Sequence, residues 1–233
     1  MRFGTIGEIW CYPVSSLTGE RLPEADLVPA GVDGDRLWGL FDAANLSVAA
    51  PESEKRWRPV PSLSARCRDG AVEVSGDDAV WHPLPSDVAD SLASGHLGFP
   101  VRFAPFEAAA EPRYKRAPLH MLTTASLAAL QARLPTANLG TPRFRPNLLI
   151  ETGNDVEGYA EQALIGRRMT IGTVVVEVSE PCERCAFTAL GQPGLPFDKD
   201  VLHAISREGG GFGVLARVVQ PGRVVLGDTA IVT

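Results

Sequence analysis

The sequence predicts a mainly β protein with a few helices, an α+β chain in which strands dominate. Runs of β-branched residues alternate with polar ones, and one stretch, Leu127 to Leu134, carries helical spacing. Glycine and proline, 23 and 19 of 233 residues, are frequent enough to turn many short strands. A chain of this length can bury one large core or two small ones.

Taken in order, Thr5-Ile6-Gly7-Glu8-Ile9-Trp10 alternates and stops at Tyr12-Pro13. Gly34 to Asp42 reads as a strand with turn chemistry at each end, and Ala71-Val72-Glu73-Val74-Ser75 is a period-two strand closed by Gly76-Asp77-Asp78. A connector rich in proline and charge, Phe106 to Pro118, is the candidate boundary. Beyond it Leu127, Leu130 and Leu134 predict a helix with Thr124 or Ser126 as N-cap. Arg143-Phe144-Arg145-Pro146-Asn147 precedes the apolar strand Leu148-Leu149-Ile150, and its guanidinium forks suit an anion. Thr173 to Ser179 is a β-branched strand. Val214–Val219 and Arg223–Val232 read as a hairpin turned at Gln220-Pro221-Gly222. Gly209-Gly210-Gly211 is a loop without the Lys-Ser/Thr of a phosphate loop.

A net charge of -6 argues against a nucleic-acid backbone as partner. No run reaches the roughly 18 apolar residues of a membrane span, and the N-terminus has no signal-peptide apolar region. Four cysteines at irregular spacing make no disulfide framework, and a reducing cytoplasm suits them.

The chemistry concentrates at Glu180-Pro181-Cys182-Glu183-Arg184-Cys185. Pro181 is expected to end the preceding strand, leaving both thiols on a loop. The pair can be two buried small hydrophobes. A zinc knuckle lacks its second pair, and a thioredoxin-like pair lacks its helix. A reactive or metal-binding thiolate is the reading best supported, with the Arg184 guanidinium favouring the charged sulfur. Arg36, between Gly34-Asp35 and Trp38, pairs with Asp35 or Asp42, or serves a site. His120 is expected to hydrogen-bond inside the fold.

Assembled, the order Tyr12-Pro13-Val14-Ser15-Ser16-Leu17, Gly34-Asp35-Arg36, Pro118 to Thr124, Arg143-Phe144-Arg145-Pro146-Asn147, Arg184-Cys185 and Gly227-Asp228 resembles the MOSC family. Its members include the C-terminal domain of molybdenum cofactor sulfurase and the mitochondrial amidoxime-reducing component. The resemblance implies a MOSC-type β-barrel at residues 113–233, preceded at residues 1–107 by a smaller β-barrel domain. It implies a molybdenum cofactor, a molybdopterin, with Cys185 as catalytic residue and metal ligand. Ser15, Ser16, Arg36, Arg145, Asn147 and Arg184 would line the cofactor. Two positions depart from the pattern: Ser15 stands where relatives carry Lys, and Glu161 is followed by Leu164 where Trp is usual. Glu183 also adds a negative charge beside the ligand.

Three functions follow from the resemblance. The first is a molybdenum-dependent reductase of N-hydroxylated small molecules, with electrons supplied by a separate donor protein. The second is a molybdenum-free sulfur-transfer or C–S bond enzyme using Cys185 as persulfide carrier or nucleophile. The third is a pterin carrier.

Overall fold

The computed structural model describes residues 1–76, 79–106 and 118–233. The connector between residues 107 and 117, and Asp77-Asp78 of the turn after Ser75, lie outside the described residues. The strands of the first half are β1 (Arg2–Cys11), β2 (Glu20–Leu22), β3 (Glu24–Val28), β4 (Gly31–Val32), β5 (Trp38–Asp42), β6 (Ser64–Arg68), β7 (Ala71–Ser75), β8 (His82–Pro83) and β9 (Val101–Pro105). Helix α1 (Asp87–Leu97) lies between β8 and β9, with Ser86 as N-cap and the left-handed Gly98 closing it. The second half holds β10 (Leu119–Thr123), α2 (Thr124–Arg133), β11 (Leu148–Thr152), β12 (Arg168–Ile171), β13 (Val174–Glu183), α3 (Lys199–Arg207), β14 (Gly211–Gln220), β15 (Gly222–Val225) and β16 (Thr229–Val232).

Seven strands close into a barrel in the order β11-β10-β14-β13-β12-β16-β1, with β1 pairing back onto β11 and β2 added outside the ring on β1. Closure removes the exposed edges that seven open strands would leave. Only the β10–β11 pair in the ring is parallel. Parallel neighbours need a crossover, and α2 supplies it. The return leg of that crossover is Thr141–Asn147, so the topology itself lays the arginine-rich segment against the barrel.

The barrel is packed solid. Phe3, Ile6, Ile9, Leu119, Met121, Leu148, Ile150, Val176, Val214 and Val232 share its core. Leu119 and Met121 face inward, so His120 between them points to the outer face. That face is covered by a second layer, in which Leu130 of α2, Val201 and Ile205 of α3, Phe144 and Phe212 pack on Leu122 and Leu149. A separate core within residues 14–103 gathers Val14, Leu40, Trp57, Leu63, Val74 and Phe103.

Three local expectations change. The N-cap of α2 is Thr123, whose Oγ1 accepts from the Ser126 N–H, because the helix begins one residue sooner than the leucine spacing requires. Glu161, buried, accepts from Thr123 Oγ1 at 2.6 Å and Ser126 Oγ at 2.7 Å and so pins the segment before β12 to that helix start. The Gly34–Asp42 run is half turn, with strand only from Trp38. Finally, Gln220-Pro221-Gly222 makes no hairpin: β15 pairs with β3, and β16 with β12 and β1. The break comes at Gly227, in left-handed conformation, where the Asp228 carboxylate accepts from the Val225 N–H.

Candidate functional site

β13 runs through Pro181 to Glu183, beyond the point where a proline was expected to end it. Beyond Glu177, β12 no longer pairs with β13, and the β13–β14 register shifts on both sides of Pro181, so the missing N–H falls at bulges. The two thiols therefore separate. Cys182 is a buried strand residue. Cys185 is exposed, on the loop that opens the 3-10 turn Ala186–Ala189.

The chain leaving β1 and the turn before β5 are zipped together. The Tyr12 N–H donates to Asp35 Oδ1 at 2.7 Å, Arg36 N–H to Tyr12 O at 2.8 Å, and Ser15 N–H to Trp38 O at 2.8 Å. Arg36 is ion-paired with Asp35, and its Nη2 donates to Arg145 O at 3.3 Å. It thus takes the structural partner and joins the site as well. Asn147 is fully buried. Its Oδ1 accepts from His120 N–H at 3.1 Å and Arg36 Nη1 at 3.4 Å. Arg145 donates to Leu17 O, and its guanidinium lies 4.1 Å from the Tyr12 ring centroid and 5.1 Å from that of Phe187, two residues past Cys185. The Arg36 guanidinium lies 5.1 Å from the same tyrosine ring. Burial pushes the Tyr12 phenol up, and the two guanidiniums do not outweigh it.

Ser16, Arg36 and Arg145 have φ of 71°, 56° and 54°, a left-handed backbone that side chains rarely adopt. Such strain persists where its surroundings over-determine it, typically at ligand clamps. Here it falls on three of the residues named from the sequence, drawn from three distant stretches and joined by the contacts above. Ser15 is buried, and its Oγ has no hydrogen-bond partner among the described residues.

Two residues play roles that the sequence did not show. Arg143 belongs to no anion cradle: it is fully buried and donates to the carbonyls of Asn138, Thr188 and Pro196 at 3.0, 3.1 and 2.8 Å. Arg184 turns to Cys182, with Nη1 donating to that sulfur at 3.0 Å and Nη2 to Phe144 O at 2.8 Å. Burial alone would push the Cys182 thiol up, but His120 and Arg184 outweigh it and bring it down to about 6. His120 does hydrogen-bond inside the fold, as expected, but the sequence assigned neither it nor Cys182 a role in the site. The alternation of His120 with two core residues was the available signal, since it places a polar ring on the barrel's outer face.

The assembly defines a class: a closed β-barrel whose outer wall carries an exposed thiol beside a strained cluster of arginines. A sequence profile of the MOSC domain matches residues 96–230, over half the chain. The chain belongs to the MOSC family. Human mitochondrial amidoxime-reducing component 1 is 26% identical over 234 residues, covering 80% of this chain, which spans 66% of that relative's length. Among solved structures, the YUAD protein from Bacillus subtilis aligns over 100% of this chain and 96% of its own, with a TM-score of 0.55 and 12% identity, a likeness of fold. Among the described residues no helix is long and apolar enough to cross a membrane.

Proposed function

We propose that this protein binds a molybdenum cofactor and reduces N-hydroxylated or similar small molecules, with Cys185 as the protein's ligand to the metal. The observation that carries the reading is the convergence of Arg36 and Arg145, both left-handed, on the Tyr12 ring beside the Cys185 loop, with Arg145 also donating to Leu17 O, next to the left-handed Ser16. The family membership and the amidoxime-reducing relative support it.

The residues fit the group. A terminal phosphate needs fixed cations and hydroxyl donors, and this cluster offers Arg36, Arg145, and the buried Ser15 Oγ that has no described partner. Cys185 is exposed, and a thiolate is a soft ligand. Among the described residues no set of three or more His, Cys, Asp or Glu gathers as a metal site. A metal held by one protein sulfur must bring its other ligands with it, as a pterin dithiolene does. When bound, the cofactor supplies the two-electron redox chemistry. The chain's part is to hold the phosphate end through Arg36 and Arg145, to orient Asn147, and to present the Cys185 sulfur. The electrons come from a separate donor protein.

Protein purified from a molybdenum-replete host is expected to carry molybdenum and pterin in near-stoichiometric amounts, with the metal lost in Cys185→Ala. Arg36→Ala and Arg145→Ala are expected to lower pterin retention more than thermal stability. Metal-free and pterin-free wild-type protein would overturn the reading. The molybdenum-free alternative, in which Arg184 activates Cys185, meets a guanidinium already committed to Cys182.

A further inference from the structure

His120 and Cys182 sit on strands that are not neighbours. β14 lies between β10 and β13. His120 lies over Gly213 of that middle strand, where φ is 81° and an added Cβ would overlap His120 Nε2 and lie 2.8 Å from Met121 O, and Cys182 flanks the same stretch of β14 between the Pro181–Val214 and Glu183–Gly211 pairs. A side chain at this position would close the gap.

The hydrogen bonds fix the chemistry of the ring. His120 Nδ1 lies 3.2 Å from Arg145 O, and a carbonyl only accepts, so Nδ1 carries a proton. Nε2 is buried and makes no hydrogen bond to any described residue, and His120 lies close enough to Cys182 to act on its thiol electrostatically. On the sulfur's other side Arg184 Nη1 donates at 3.0 Å. The titratable and charged groups acting on Cys182 are thus His120 from β10 and Arg184 from the extension of its own strand. Both also hold the same piece of backbone: Arg184 grips Phe144 O and His120 grips Arg145 O. That piece is the left-handed turn that sets the Arg145 guanidinium on Tyr12.

We propose that Cys182 is held as a thiolate between His120 and Arg184, and that this buried cluster is the positioning element that locks the turn at Arg145. The two cysteines then divide the work: Cys185 faces outward, and Cys182 holds the arginine that shapes the site. The cluster rests on the chain's own contacts. Only its consequence for cofactor retention depends on the function proposed above.

The test uses the full chain without cofactor. The ultraviolet thiolate band, titrated with pH, is expected to show a component with a midpoint near 6 that survives in Cys185→Ser and disappears in Cys182→Ser. His120→Gln should raise that midpoint by at least about one pH unit, since it removes the ring that favours the charged sulfur but keeps a donor for Arg145 O. Amide exchange of residues 141–147 should accelerate about tenfold in Cys182→Ser and His120→Gln but not in Cys185→Ser. A thiolate band lost in Cys185→Ser instead, or a midpoint unmoved by His120→Gln, would overturn the proposal. Should Cys182→Ser fail to fold, the His120→Gln titration decides alone. A protein without pterin that keeps the band refutes the cofactor reading and leaves the cluster standing.

Discussion

Lowering the pH should remove a share of stability that Cys182→Ser has already lost. The thiol lies at about 6 in the folded chain against an ordinary value of 9.0. A depressed folded value stabilises fully above the unfolded value and fades as pH falls through the folded one. The window is therefore between about pH 9 and pH 6. At about 1.4 kcal/mol per decade, the whole contribution is on the order of 4 kcal/mol above the window, about 2 kcal/mol at about pH 7.5, and near zero by about pH 5.5. For a chain of this size, about 2 kcal/mol corresponds to roughly 4–8 °C in Tm. Serine cannot titrate. Thermal melts of both proteins across this range should show wild type ahead at the upper end and the two converging at the lower. Carboxylates and histidines away from Cys182 cancel in the difference. Parallel curves would refute the argument, because they would mean that folding leaves the proton affinity of Cys182 unchanged.

Two further outcomes follow from packing. Arg143→Met leaves three carbonyl oxygens facing an apolar chain; at about 1–3 kcal/mol for each buried group left unsatisfied, urea denaturation should register a loss of at least about 3 kcal/mol. Gly213→Ala should cost about 1–3 kcal/mol by the same measurement, through the strain of a left-handed alanine, and should also diminish the Cys182 thiolate band by displacing His120.

Much of this architecture was legible because it is local. Ala71–Ser75 is a strand with the bounds that its alternation predicts, and β1 extends the Thr5–Trp10 run to Arg2 at its start and Cys11 at its end. The cluster of Arg36, Arg145 and Asn147 was legible through resemblance, since spacing alone says nothing of which turns meet. What stayed hidden depends on strand order. The His120–Cys182 contact joins two positions across Gly213, and it exists only because β14 threads between β10 and β13. Periodicity tells which face a residue takes, not which strand lies beside it. The same limit explains the misread hairpin: β15 follows β14 in sequence but pairs with β3, and β16 pairs with β1 and β12.

The position of Ser15 bears on how strongly such a site can hold an anion. The family resemblance implies a lysine there, and a serine lacks the charge-assisted contact of about 1.5–3 kcal/mol that a lysine would add. Burial changes the weight of that loss. Ser15 is 2% exposed, in a turn fixed by its own N–H on Trp38 O, so a lysine there would have to carry its charge out of a closed turn or pay for desolvation. The remaining cations are held in place. Arg145 is fixed by Leu17 O and two aromatic rings, and Arg36 by Asp35 and the Arg145 carbonyl. Neither has much freedom left to lose when an anion binds, which lowers the cost of association. Asp35 pairs with Arg36, and Arg184 donates to the Cys182 sulfur, so both guanidiniums are already engaged. His120 holds the backbone of Arg145 through its carbonyl, and the proposed anion site therefore depends on that turn keeping its shape.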